Sequence, residues 1–520
     1  MNTQKFREIS KQPYQYATMT NDDIVIEPFD VTYQKLRLSF KLGDRRLLLR
    51  NQTTLHILNP GRLEQIGLDL MGRWKIEDVY PQDLAYTYNG KKFTIQDIGN
   101  KPFFSVTVTY SGTPSLYHPW IHGMYYSIDS ASGENMYIHT VNPPYGARTW
   151  LLSHDSPHDK IDTFVVEALV PEQLQFVSNG RKIFEKDSAG ETFIRYQSHY
   201  PLASYLTSIN VGPYFKHQQI CDVYSTKELP VAFYTEKPLS QEDISILSAI
   251  VKRGIAFFEK KIGPYPFTDD GLKIVETSFR GGMENQTVIS ISKLSPDKEY
   301  LLIHELAHHW FGNFVTPSFK DVWLSEGMAT YLTALYIKEM EGPDHFRAYM
   351  QERKSHSLLP VIINNTLVPD SVYDSELVYH KGAWIWHYLQ SLMGDQQFFK
   401  MLQYIYSSYN RELFSSSALL DYLNHFGFEK LVPVFRKMIF EGFIPEIKMI
   451  VIPNPGFNEL IIKPDTDKFT QIPIYINYNK INKTVWIGKN DSLKMTIPPD
   501  LISPVSLFEN NYIIHSLSYR

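Results

Sequence analysis

Between Ile24 and about Val223, apolar and polar positions alternate in short runs such as VTYQKLRLSF (31–40), FFSVTVTY (103–110) and IDTFVVEALV (161–170), each closed by turn residues. A period of two sends successive side chains to opposite faces of a strand, so this pattern predicts a large antiparallel sheet domain. From residue 240 the period lengthens. SQEDISILSAIVKRGIAFFEKK (240–261) repeats its apolar positions every three to four residues and opens an α-rich region that runs to about Gly442. Beyond residue 444 strand-like runs return (IKMIVI, ELIIKP, IPIYINY, TVWIG), divided by Pro, Asn and Gly, and read as a small β-sandwich-like module. The expected class is α+β and multidomain: a polar tail over 1–22, a β-rich domain over 23–223, an α-rich domain over 224–443 and a small β domain over 444–520.

Composition narrows the possible partners. The 520 residues, 43% hydrophobic and 21% charged, suit a folded chain with full cores and no disordered character. A net charge of −5 argues against nucleic acid as the main partner, and the basic run 479–483 reads as a solvated turn. No stretch reaches the roughly 18 apolar residues of a membrane span. The start, MNTQKFREISKQPYQY, has no apolar core of a secretion signal, so a cytoplasmic location without membrane contact is expected. Cys221 is the single cysteine, which excludes an intrachain disulfide and agrees with a reducing compartment; it reads as a buried small residue. Oligomeric state is not legible.

The chemistry concentrates in His304-Glu305-Leu306-Ala307-His308. Residues four apart share a helix face, so a buried helix over 300–311 can aim two imidazoles at one metal ion. Glu305, beside the first ligand, can reach a water at that metal and take its proton. Glu326 follows in WLSEG, at the start of a second helical run through Met340. Two His and one Glu leave one coordination position open, the donor set of a catalytic zinc.

Further motifs appear in a telling order. GGMEN spans 281–285 after the strand-like LKIVETSF (272–279), WFGN spans 310–313, and Tyr379-His380-Lys381-Gly382 follows; GARTW (146–150), SHDSP (153–157) with Lys160, and GPYPF (263–267) come earlier. Together they resemble the aminopeptidase N and leukotriene hydrolase family of gluzincin zinc metallopeptidases, over roughly residues 30–450. The resemblance implies a saddle-shaped amino-terminal β domain and a thermolysin-like catalytic domain. It implies one zinc ion held by His304, His308 and Glu326. Glu305 would be the general base and then the proton donor to the departing amine, and Tyr379 the hydrogen-bond donor to the oxyanion. Glu284 would hold the substrate α-ammonium, with Gly281, Gly282, Met283 and Asn285 lining the scissile peptide. The implied activity is a zinc aminopeptidase acting on the amino-terminal bond of peptides.

Three departures from the family pattern stand out. Seventeen residues, where the family usually has eighteen, separate His308 from Glu326, and the shortening falls in the loop 317–320. Thr140-Val141-Asn142-Pro143-Pro144 stands at the family's T-Q-x-E-P segment, so Val141 replaces a Gln and Pro143 a Glu. One acidic anchor is thereby missing. The chain also ends before the helical carboxy-terminal domain of most members, as a short form would. The missing anchor and the absent helical domain keep a second reading open, a zinc hydrolase of an epoxide, another amide or an internal peptide bond. A non-enzymatic scaffold of the same fold is a third, disfavoured because both His, both Glu and the Tyr are present.

Other clusters read as structural. His154, Asp155, His158 and Asp159 include metal-ligating types, yet Pro157 breaks any shared helix face. His309 points about 100° away from His308 on a helix, toward packing. Trp384 and Tyr388, four apart, read as core.

Overall fold

The computed structural model describes residues 15–17, 28–43, 46–99, 101–117, 122–128, 136–221, 228–367, 369–410, 412–464, 471–478, 481–488, 491–498 and 514–519. Of the polar tail, only Gln15–Ala17 falls within this set, as a short strand pairing in parallel with Ser115–Tyr117; the rest of the tail and part of the basic run 479–483 lie outside it. The fold is α+β, with a β-rich amino-terminal part followed by a helical region. Two compact units divide the chain. One comprises Met1–Phe319 with Asn365–Val372 and Asn410–Leu413, the other Lys320–Asn364, Tyr373–Tyr409 and Phe414–Arg520.

The first unit is built mainly of sheets. The alternating segments form a seven-stranded sheet in which Thr163–Pro171 lies parallel to Asp30–Gly43, whose other neighbour is the antiparallel Arg46–Leu58. A six-stranded sheet contains Met136–Val141 and Ile209–Gly212. A five-stranded sheet follows, where Leu229–Thr235, Leu272–Glu276 and Val288–Ile291 run parallel and are largely buried, as strands covered on both faces should be. Its last strand is Gly282–Met283, which pairs antiparallel with Val288–Ile291. The helix Gln241–Lys261 starts where its pattern predicts, with Ser240 accepting from the Asp243 N–H at 3.0 Å.

The predicted helix over 300–311 is shorter. It spans Glu299–Ala307, with His308 as its C-terminal cap. His309 and Trp310 donate to carbonyls three residues back, and the chain then turns so that the Asn313 N–H reaches the His308 carbonyl at 2.9 Å. Apolar content carried the pattern onward, while the Gly312 turn ended the helix. The strand expected over 272–279 likewise stops at Glu276.

The second unit opens with the helix Trp323–Glu341, buried from Trp323 to Ile337. It packs against Gly382–Met393, where Trp384 and Tyr388 are core as expected. The crossing is close: a Cβ on Gly327 would lie 2.7 Å from the Gly382 backbone. Ahead of Gly382, Ser375–Lys381 is a π-helix whose first turn is capped by Asp374 accepting from the Leu377 N–H at 2.9 Å. The carboxy-terminal strands include a four-stranded sheet centred on Glu446–Asn454 and Phe457–Pro464, and a hairpin of Gln471–Tyr478 with Ile481–Gly488.

Candidate metal centre and active site

Four of the predicted site residues converge within the first unit. His304 and His308, one helical turn apart, bring their Nε2 atoms to 3.2 Å. Two nitrogens bound to one tetrahedral zinc at about 2.0–2.1 Å would lie roughly 3.3 Å apart, so the pair fits that ion. His308 Nδ1 faces the Phe311 carbonyl at 3.1 Å. That contact selects the tautomer with a proton on Nδ1 and leaves the Nε2 lone pair for a metal.

Ligand atoms of Glu284, Glu305 and His308 lie within 4.8 Å of one another. Glu305 is buried on the helix, and Glu284 follows directly on the edge strand Gly282–Met283. The backbone of this edge presses on that carboxylate: a Cβ built on Gly282 would sit 2.2 Å from Glu305 Oε1. Gly281 has φ +89°, a left-handed conformation that favours glycine. The GGMEN spacing therefore serves two needs, a left-handed turn and then a residue without a side chain beside the carboxylate. Met283 and Asn285 are buried, and Asn285 Nδ2 reaches Ser290 Oγ at 3.3 Å.

Glu326 and Tyr379 belong to the second unit. Glu326 is buried in the first turn of Trp323–Glu341 and Tyr379 sits in the π-helix. Both flank the Gly327–Gly382 crossing, which ties the two helices to one another. Lys381 is fully buried and donates from Nζ to the carbonyls of Ser357, Leu359 and Gly442 at 2.7–2.9 Å. Burial pulls this ammonium down to about 8. The lysine of the Y-x-K-G motif is thus a brace for the segment that carries Tyr379.

His309 is packing, as expected. It is buried, meets the Tyr265 hydroxyl through Nδ1 at 3.0 Å, and burial with the neighbouring His308 lowers it to about 3, keeping it neutral. His154 pairs with Asp159 at 2.9 Å, while Asp155 accepts from the Arg148 guanidinium at 3.0 Å; Asp69 takes the other side of that arginine. Val141 is buried, and Asn142 uses both ends of its amide, donating to the Thr207 carbonyl and accepting from Trp150 Nε1. Sequence reading missed two residues of the first unit, Asn313 and the role of Lys160, whose Nζ reaches the Asn313 carbonyl at 3.1 Å and that of Phe314 at 2.9 Å. WFGN was visible as a landmark, but its long-range partners were not.

A paired-histidine centre with an adjacent buried carboxylate, on an α+β frame, is an arrangement that suits a zinc peptidase. Residues 248–437 match the model of the peptidase family M1 domain, and the chain is similar to members of the aminopeptidase N family of gluzincin peptidases. It is 26% identical over 319 residues to aminopeptidase N of Streptomyces lividans, covering 56% of this chain and 36% of that protein. To mouse (Mus musculus) aminopeptidase B it is 28% identical over 351 residues, covering 63% and 49%. The chain thus spans about a third to a half of the curated relatives it matches. Its fold is similar to that of an M1 zinc metallopeptidase from Deinococcus radiodurans, with a TM-score of 0.68 at 21% identity over 80% of this chain and 94% of the other. Aminopeptidase A of Legionella pneumophila aligns at a TM-score of 0.79 and 16% identity, over 97% of this chain and 61% of the other. The match to the peptidase family M1 domain points to zinc.

Proposed function

We propose that the chain is a zinc-dependent aminopeptidase that hydrolyses the amino-terminal peptide bond of peptides, with one zinc ion held by His304, His308 and Glu326. The observation that carries this reading is the convergence of Glu284, Glu305 and His308 within 4.8 Å, which sets a carboxylate suited to an ammonium beside a base and a metal ligand. When bound, zinc would polarise the scissile carbonyl and lower the pKa of water toward 7. Glu305 takes the proton of the attacking water and passes it to the departing amine. Tyr379 donates a hydrogen bond from its phenol O–H to the oxyanion. Glu284 fixes the substrate α-ammonium, and the Gly281-Gly282 backbone, with Met283 and Asn285, aligns the peptide. Because the anchor stands at a set distance from the base, only the first peptide bond is presented for cleavage.

Pro143 favours a second reading, a zinc hydrolase less strict about a free amine, because the acidic partner that the family often places there is missing. Hydrolysis of an amino-acyl aminocoumarin panel separates the two, each member paired with its N-acetylated form, with and without a zinc chelator. The aminopeptidase reading expects chelator-sensitive turnover confined to free amines. Turnover indifferent to acetylation would remove Glu284 as the amine anchor, and none from zinc-loaded protein would refute the peptidase reading.

A further inference from the structure

Between the metal-ligand helix and the GGMEN edge lies a side chain that touches neither metal nor reacting atoms. Asn313 is buried, and its Nδ2 donates to the Glu284 carbonyl at 2.7 Å. Its own backbone is clamped from three directions. The Asn313 N–H donates to the carbonyl of His308 at 2.9 Å, and the Asn313 carbonyl accepts from Lys160 Nζ at 3.1 Å and from Thr316 Oγ1 at 2.9 Å. Asn313 Oδ1, by contrast, is buried with no hydrogen-bond partner among the described residues. The opposite amide orientation would set this oxygen against the Glu284 carbonyl, so the Nδ2 assignment is chemically required. What the side chain provides is a rigid strut of one hydrogen bond between two parts of the site 29 residues apart in sequence.

We infer that Asn313 is a positioning residue that sets the distance between the amine anchor Glu284 and the metal ligand His308, and so makes cleavage depend on a free amino terminus; this rests on the aminopeptidase reading above. The strut holds the Glu284 backbone, which directs the carboxylate that would receive the ammonium. Loss of the strut frees the anchor while the two histidines keep their own helix. An N-acetylated substrate makes no use of the anchor and is indifferent to the strut.

The test uses the full chain carrying Asn313→Asp, which removes the donor at constant size, and Asn313→Ala, which removes it without a charge. Three quantities are read: zinc per chain, the ratio of kcat/KM on free and N-acetylated members of the aminocoumarin panel, and calorimetric affinity in a zinc-loaded Glu305→Gln background for leucyl-glycine against its N-acetyl form. The expected result is unchanged zinc, a free-to-acetyl ratio at least tenfold lower with the loss mostly in KM, and a matching loss of affinity for the free dipeptide only. An unchanged ratio with both activities reduced together would make Asn313 merely structural and overturn the inference. So would failure of both variants to fold with zinc. If the unaltered enzyme itself ignores acetylation, the aminopeptidase reading falls first and the inference with it, an outcome distinguishable because it needs no variant.

Discussion

At the scale of single residues, the proposed function assigns proton transfer and charge recognition to different carboxylates, Glu305 and Glu284. Glu305 is held by its buried helix and by the strand edge against it, so replacing it removes a proton acceptor and leaves the histidine pair intact. Glu305→Gln should keep its zinc, measured by elemental analysis, and lose most turnover; substantial residual activity would remove Glu305 as the base. Tyr379→Phe should lower kcat by roughly 10²–10³-fold, the usual loss for one oxyanion donor, with little change in zinc content. Gly282→Ala tests the close approach directly. A methyl group cannot occupy a point 2.2 Å from Glu305 Oε1, so either the edge strand or the carboxylate must shift. A fall in kcat of about a hundredfold or more, the scale of a 1 Å misplacement, is expected at normal zinc content. Near-normal kcat would show that the strand edge gives way freely.

At the scale of elements, the segment ahead of Gly382 shows how an irregular turn is held. A π-helix has poorer backbone geometry than an α-helix and persists where surrounding contacts insist on it. Here Asp374 caps its start, and the Lys381 ammonium ties its end to three carbonyls of distant loops. Lys381→Met keeps the apolar stem but leaves those carbonyls short of a donor, which should cost about 2–5 kcal/mol. A lowered denaturation midpoint should be accompanied by a fall in kcat, because Tyr379 lies two residues away. An unchanged midpoint would refute the brace. The motif spelled out Tyr379 and Lys381, yet the partners of Lys381 come from residues 357, 359 and 442, and no local pattern points to them. The helix at 299–307 was similarly half legible. Its apolar period and histidine spacing were plain, and its end was not, because the stop depends on a turn that returns the Asn313 N–H to the His308 carbonyl.

At the scale of the whole molecule, buried polar groups should shape the pH range of stability. His139 is buried, stacks on Tyr125 with ring centroids 4.8 Å apart, and is pulled by burial down to about 4. Between pH 6.5 and 4 the unfolded chain takes up a proton on this imidazole and the folded chain does not. Stability therefore falls on acidification through that window, by about 3 kcal/mol for this residue alone. Urea midpoints at pH 7 and pH 4.5 should show the loss, and His139→Phe, which retains the stack, should reduce it. Equal losses in both proteins would assign the acid sensitivity elsewhere. No helix among the described residues is long and apolar enough to cross a membrane.

The sequence by itself determined whatever rests on local periodicity. A period of two made strands of the amino-terminal segments, and a spacing of four on a helix put His304 and His308 on one face, because backbone geometry sets both repeats. The order of motifs then pointed to the family resemblance and to the residues expected to carry roles. Only the tertiary structure decided what depends on sheet order and packing. It laid the Gly282 backbone against Glu305, brought Glu284 beside His308 and joined Asn313 to the Glu284 carbonyl. These contacts join residues 23 to 29 positions apart across a strand edge, a turn and a helix. Their distances follow from how buried surfaces pack and hydrogen bonds are satisfied, which no local repeat encodes.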